Sequence, residues 1–294
     1  AKYLGTMVTC WGIVLACTSA CNDYGSLVAV RFLLGMFEST ISPSLIIITA
    51  MWYKRHEQPS RIGIWYTGVG CGQIVGGLIS FGFQHYHGRA FVSWQIMFLV
   101  VGLVTIVVGC LVILLLPDNP MSCRRLSHAE KVIAVERVRE NNTGIENKKF
   151  KPHQVLEAMR DPQVWLLFLI TLTMSVPNGA VSSFQSILIS NFGFSHEVTA
   201  LLQIPSGFIS LSSCLAGTWF AGRFNARGAG IIIWSAIGGI LGGGLMAFLS
   251  KENKAGQLVG NYFTQVFGSA LPCAYAWAGG NLAVSWLVFC SVEG

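Results

Sequence analysis

The chain has 294 residues, of which 53% are hydrophobic and only 11% charged. Soluble domains carry about 25% charged residues, so a water-soluble globular core is excluded. The net charge of +6 is spread over short loops instead of one patch, which argues against nucleic acid as a partner.

Taken in chain order, runs long enough to cross a bilayer as helices fall at 3–21, 27–53, 62–84, 95–116, 163–187, 198–221, 229–249 and 256–289. Four precede a long polar segment and four follow it, giving the expected domains 1–116, 117–162 and 163–294. The chain opens at Ala1, already at the edge of an apolar run and without an initiator Met. That leads to the expectation of a piece of a longer polypeptide. The cysteines lie mostly inside the apolar runs with no paired metal spacing, so they read as small apolar fillers. No zinc motif, nucleophile elbow or catalytic carboxylate pair stands out, and neither an enzyme nor a resident cofactor or metal is expected.

The second run holds Arg31 and Glu38, two ionisable side chains at membrane depth. Such groups are costly there and mark a ligand, an ion pathway or a mutual ion pair. Seven residues is close to two helical turns, which puts both on nearly one face. The guanidinium offers a planar fork suited to a carboxylate. A desolvated carboxyl favours its protonated form, which is the physical requirement for carrying a proton with a substrate. Pairing of the two with each other is the structural alternative. Pro43 is expected to bend this helix.

The third run carries Gly68, Gly70, Gly72, Gly76 and Gly77, and the seventh carries Gly238, Gly239, Gly242, Gly243 and Gly244. Both read as faces for close helix packing. His85 and His87 fall in a loop and read as solvated. In the polar segment, Ser127 and Glu130 form a capping box that opens a helix running to about Glu140. A second short helix is expected over 152–160. Asn141-Asn142-Thr143 matches a glycosylation sequon, taken as accidental on a cytoplasmic segment. Asp161-Pro162 supplies a cap and a first-turn proline for the fifth run. That run carries Asn178 and Gln185 after Pro177, and the eighth carries Asn261, Gln265 and Asn281. Their amides suit a solute bearing amide or ureide groups, or hydrogen bonds between helices.

Lys and Arg residues sort by side. Counting Ala1 as inside, 15 fall in inside segments, nine of them in 117–162. Arg89, Lys251 and Lys254 fall outside. The positive-inside rule therefore places both termini and the polar segment in the cytoplasm.

Arg31-Phe-Leu-Leu-Gly35-Met-Phe-Glu38, then Pro43, Trp52-Tyr53 and Arg61, form an ordered series. Leu116-Pro117-Asp118-Asn119-Pro120 continues it, followed by Leu126, Glu130, Arg137, Gly144, Phe150-Lys151, Asp161-Pro162 and Trp165. Together these resemble the major facilitator superfamily, within it the anion:cation symporter family and its fungal allantoate permease branch. The resemblance implies an all-α membrane bundle in which the eight runs correspond to helices three to ten of twelve. It implies proton-coupled uptake of a small organic anion, such as a ureide or a vitamin carboxylate, across the plasma membrane. Arg31 would then bind substrate, Glu38 would couple protons, and Arg223 and Arg227 would belong to a gating loop. The partners implied are the anion and the lipid bilayer, with the protein monomeric. Two departures stand out: Gly222 occupies the place of a gating Asp, and Val284 to Gly294 is apolar where the family continues with a polar stretch. A non-transporting remnant or a nutrient sensor of the same fold is the alternative.

Overall fold

The computed structural model describes residues 1–54, 56–84, 92–138, 159–224, 227–250 and 253–281. Every element among them is helical. Backbone amides and carbonyls in hydrocarbon have no water to bind, so a single-segment helix satisfies them internally. The helices are α1 (Lys2–Cys17), α2 (Tyr24–Glu38), α3 (Ile41–Trp52), α4 (Gln58–Tyr66), α5 (Gly68–Gln84), α6 (Ser93–Leu115) and α7 (His128–Arg137). They continue as α8 (Pro162–Asn191), α9 (His196–Arg223), α10 (Arg227–Ser235), α11 (Gly243–Phe248), α12 (Lys254–Val266) and α13 (Ala270–Asn281).

Among the described residues, seven stretches are long and apolar enough to cross a membrane: Lys2–Ala20, Tyr24–Trp52, Gln58–Phe83, Ser93–Leu115, Pro162–Asn191, Glu197–Arg223 and Gly228–Phe248. They match the first seven expected runs. Of the eighth, 256–289, the described part up to Asn281 is helical (α12 and α13) but buries Gln257, Asn261, Thr264 and Gln265, polar residues that make it less apolar than the other seven.

By packing, the residues fall into two compact units. Among the described residues, one comprises 1–54, 83–84 and 92–138, and the other comprises 56–82, 159–224, 227–250 and 253–281. In the first unit α1 runs antiparallel to α6 in close contact. A side chain added at Gly5 would meet Ile113 Cγ1 at 2.5 Å, one at Gly12 would meet Ile106 N at 2.8 Å, and one at Gly102 would meet Ala16 N at 2.6 Å. Gly5 and Gly12 on one helix, and Gly102 and Gly109 on the other, are each two turns apart and so line one face. This pairing was not singled out in the sequence.

The second unit repeats the device. Gly63 lies against Thr218, Gly70 against Gly207 O (2.7 Å from an added Cβ) and Gly77 against Ala200 O (2.9 Å). Seven-residue spacing thus turns one face of α4–α5 onto α9. Gly68, Gly72 and Gly76 meet nothing within 4 Å, so only part of the expected glycine face packs. In the seventh span the chain widens into a π-helical turn over Ala236–Gly242. There Gly238 and Gly242 admit α12 and its extension, an added Cβ lying 2.6 Å from Phe267 Cβ and 2.6 Å from Thr264 N.

Helix ends follow local chemistry. The Ser127 hydroxyl accepts from Glu130 N at 3.4 Å, while Ser127 N donates to Glu130 Oε2 at 2.8 Å, which closes the expected capping box. Asp161 accepts from Gln163 N at 2.9 Å with Pro162 in the first turn. Gly193, at φ +86, makes the turn between α8 and α9, a backbone region that costs non-glycine residues about 1–2 kcal/mol. The sequon at Asn141–Thr143, the short helix at 152–160, His85 and His87, and the tail 284–294 lie outside the described residues, apart from Met159 and Arg160.

Candidate functional site

Arg31 projects from α2 and is exposed; its guanidinium carbon lies 5.8 Å from the centroid of the Phe98 ring on α6. An aromatic face attracts a cation without neutralising it. Among the described residues no ion pair joins Arg31 to Glu38. Both groups therefore keep their bonding capacity for something else.

Glu38 ends α2, and the helix breaks behind it because Pro43 has no N–H and its ring crowds the carbonyl one turn back. Three hydroxyls take up the slack. Ser39 Oγ donates to Met36 O (2.9 Å), Thr40 Oγ1 to Phe37 O (2.9 Å) and Ser44 Oγ to Thr40 O (2.7 Å). Glu38 thus sits, exposed, on the rim of a discontinuity within one apolar span. Irregular backbone at membrane depth is tolerated where protein or a polar cavity satisfies it.

The amide candidates belong to the other unit. Asn178, one residue after the helix-internal Pro177, is half-buried, with its Oδ1 3.9 Å from where a Gly268 side chain would begin. Gln185 is buried and its Nε2 has no partner. Asn261 is 0% exposed, and neither its Nδ2 nor its Oδ1 has a partner. Gln265, one turn further on the same face, accepts a hydrogen bond at 3.2 Å from Nε2 of Gln73 on α5, while its own Nε2 is unpartnered. Sequence reasoning missed Gln73. The available signal was one long amide inside a glycine-rich apolar run. Nearby, Met174, Ala270 and Leu271 form an apolar core joined by Tyr66, Ile231, Trp234 and Phe267.

Arg223 closes α9 and is exposed; the adjoining Gly222 would place a side chain 3.2 Å from Ser60 Oγ. Arg227 opens α10 and Asn281 ends α13, and the side chains of both lie outside the described residues. The structure thus gathers Asn261, Gln265 and Gln73 into one polar locus and places Arg31 and Glu38 on one helix.

Apolar helices long enough to cross a bilayer, one span broken ahead of Pro43, together with buried amide groups that lack partners, define a multi-pass helical membrane protein. Residues 1–288 match the family model of the Major Facilitator Superfamily, and the chain belongs to that family. It is 44% identical over 278 residues to the thiamine pathway transporter THI73 of Saccharomyces cerevisiae, covering 94% of this chain and 53% of that protein. It is 34% identical over 283 residues to the allantoate permease of the same yeast, covering 93% and 52%. The chain therefore spans about half the length of these curated relatives. The xylose transporter XylE from E. coli, in a partially occluded inward-open conformation, shares the fold with a TM-score of 0.54 at 14% identity, covering 98% of this chain and 73% of that one.

Proposed function

We propose that the intact protein carrying this chain is a secondary transporter that moves a small organic anion across the plasma membrane together with protons. The observation that carries the reading is the Arg31–Glu38 pair of positions: two ionisable groups within one apolar span, on one helix, with no ion pair between them. Likeness to an allantoate permease supports a carboxylate substrate of the ureide class, with vitamin carboxylates as neighbouring candidates. Arg31 binds the carboxylate and Glu38 carries the proton. The amides of Asn178, Gln185, Asn261, Gln265 and Asn281 hold the uncharged part of the solute. Arg223 and Arg227 belong to the cytoplasmic gating loop. The sequence halves 1–116 and 163–294 rock to alternate access, as in other carriers built from repeats. The protein acts as a monomer with both ends of this chain cytoplasmic.

The test is uptake of labelled allantoate, nicotinate, pantothenate and thiamine into proteoliposomes containing the full-length gene product. An inward proton gradient should raise accumulation of at least one of the three carboxylates. Uptake of thiamine alone, or of none of the four, would overturn the anion-symport reading; the second result would favour a sensor or a transport-inactive remnant.

A further inference from the structure

Two glutamines, one from each of two helices, form a clasp whose chemistry is narrower than that of a general polar site. Gln73 on α5 donates through Nε2 to Oε1 of Gln265 on α12, at 3.2 Å. Gln73 Oε1 and Gln265 Nε2 are then left buried and unpartnered. Exchanging oxygen and nitrogen in both amides reverses the shared bond but leaves the same inventory: one free acceptor and one free donor. One turn away on the same face of α12, the fully buried Asn261 offers a second unpartnered donor and acceptor. A buried polar atom without a partner costs about 1–3 kcal/mol, so a set of four is not explained as glue between helices alone.

The required complement is a group presenting N–H and C=O side by side. An amide or urea edge does so. A carboxylate offers acceptors only and would leave Gln73 Oε1 unmatched, and an ammonium offers donors only. The clasp is uncharged, so it offers no countercharge to the anionic end of a solute. Its surroundings hold it in place: Gly70 and Gly77, flanking Gln73, bring α5 against α9, and the Tyr262 hydroxyl on α12 donates to Leu202 O on α9 at 3.4 Å.

We propose that Gln73 and Gln265 are specificity-determining residues that read an amide or urea group of the transported solute. The proposal rests on the transporter reading for its first assay. Proteoliposomes containing the full-length gene product are supplied from outside with labelled hydantoate, a ureido carboxylate, or with labelled 4-methylpentanoate, which has the same shape without the urea. Gln73→Leu should raise KM for hydantoate at least about tenfold, equivalent to 1.4 kcal/mol, and leave KM for 4-methylpentanoate unaltered or lowered, because leucine meets its isopropyl end without a desolvated amide. Gln265→Met should give the same split, and it carries the comparison alone if Gln73→Leu fails to fold. Equal changes for both probes, or no change for either, would overturn the clasp. If the wild type takes up neither anion, the anion-transport reading fails on these probes and the clasp is read separately. Thermal stabilisation of the detergent-purified wild type by neutral hydantoin, lost in Gln73→Leu or Gln265→Met, would then support it, and absence of stabilisation would overturn it.

Discussion

Arg31 faces a phenylalanine ring instead of a carboxylate, and this decides what a substitution there should do. Lysine keeps the charge and the attraction to Phe98 but replaces a two-pronged donor with a point charge. Arg31→Lys should therefore raise KM for a carboxylate substrate about tenfold with little effect on folding, measured as initial uptake rates against concentration. An unchanged KM would make Arg31 structural. Glu130 supports a second residue-scale expectation. The backbone N–H of Ser127, then its hydroxyl, holds this carboxyl below its ordinary value of 4.5. Asp118 is lowered in the same direction, first by the backbone N–H of Lys2 at 3.0 Å. A depressed carboxylate contributes stability above its unfolded pKa and loses it as pH falls through the folded pKa. The α7 cap should thus weaken below the ordinary carboxylate range. In Ser127→Ala the Glu130 titration, followed by carboxyl NMR, should move upward.

Among the elements, glycine spacing sets how closely helices approach. Gly5, Gly12, Gly102 and Gly109 bring α1 onto α6, and Gly63, Gly70 and Gly77 bring α4–α5 onto α9. Replacing Gly12 or Gly70 by valine inserts atoms where backbone lies within 3 Å, and overpacking of this kind costs about 1–3 kcal/mol. Valine at Gly72 or Gly76, which meet open space, should be tolerated; thermal unfolding in detergent distinguishes the two sets. Capping chemistry and apolar length were legible from sequence because both are local: Ser127 with Glu130, and Asp161 with Pro162, specify helix starts within four residues. Which glycines pack was not legible, because Gly70 and Gly72 differ only in the face they present. Gln73 was overlooked for the same reason, since its meaning depends on Gln265, 192 residues away. Pro43 was expected to disturb its helix, and the helix is broken between Glu38 and Ile41; the three hydroxyls that close the break behind Glu38 emerged only in three dimensions.

For the whole molecule, the charge asymmetry across loops predicts a cytoplasmic 117–162 segment. A cysteine at exposed Met121, in a background cleared of native cysteines, should react with an impermeant maleimide only after the cell membrane is opened. The most direct test of proton-coupled anion transport separates driven uptake from exchange in the full-length protein with Glu38→Gln. The account predicts that an inward proton gradient no longer drives accumulation of the transported anion, while exchange of labelled for unlabelled anion across the membrane persists. Gradient-driven accumulation equal to wild type in that variant would contradict it.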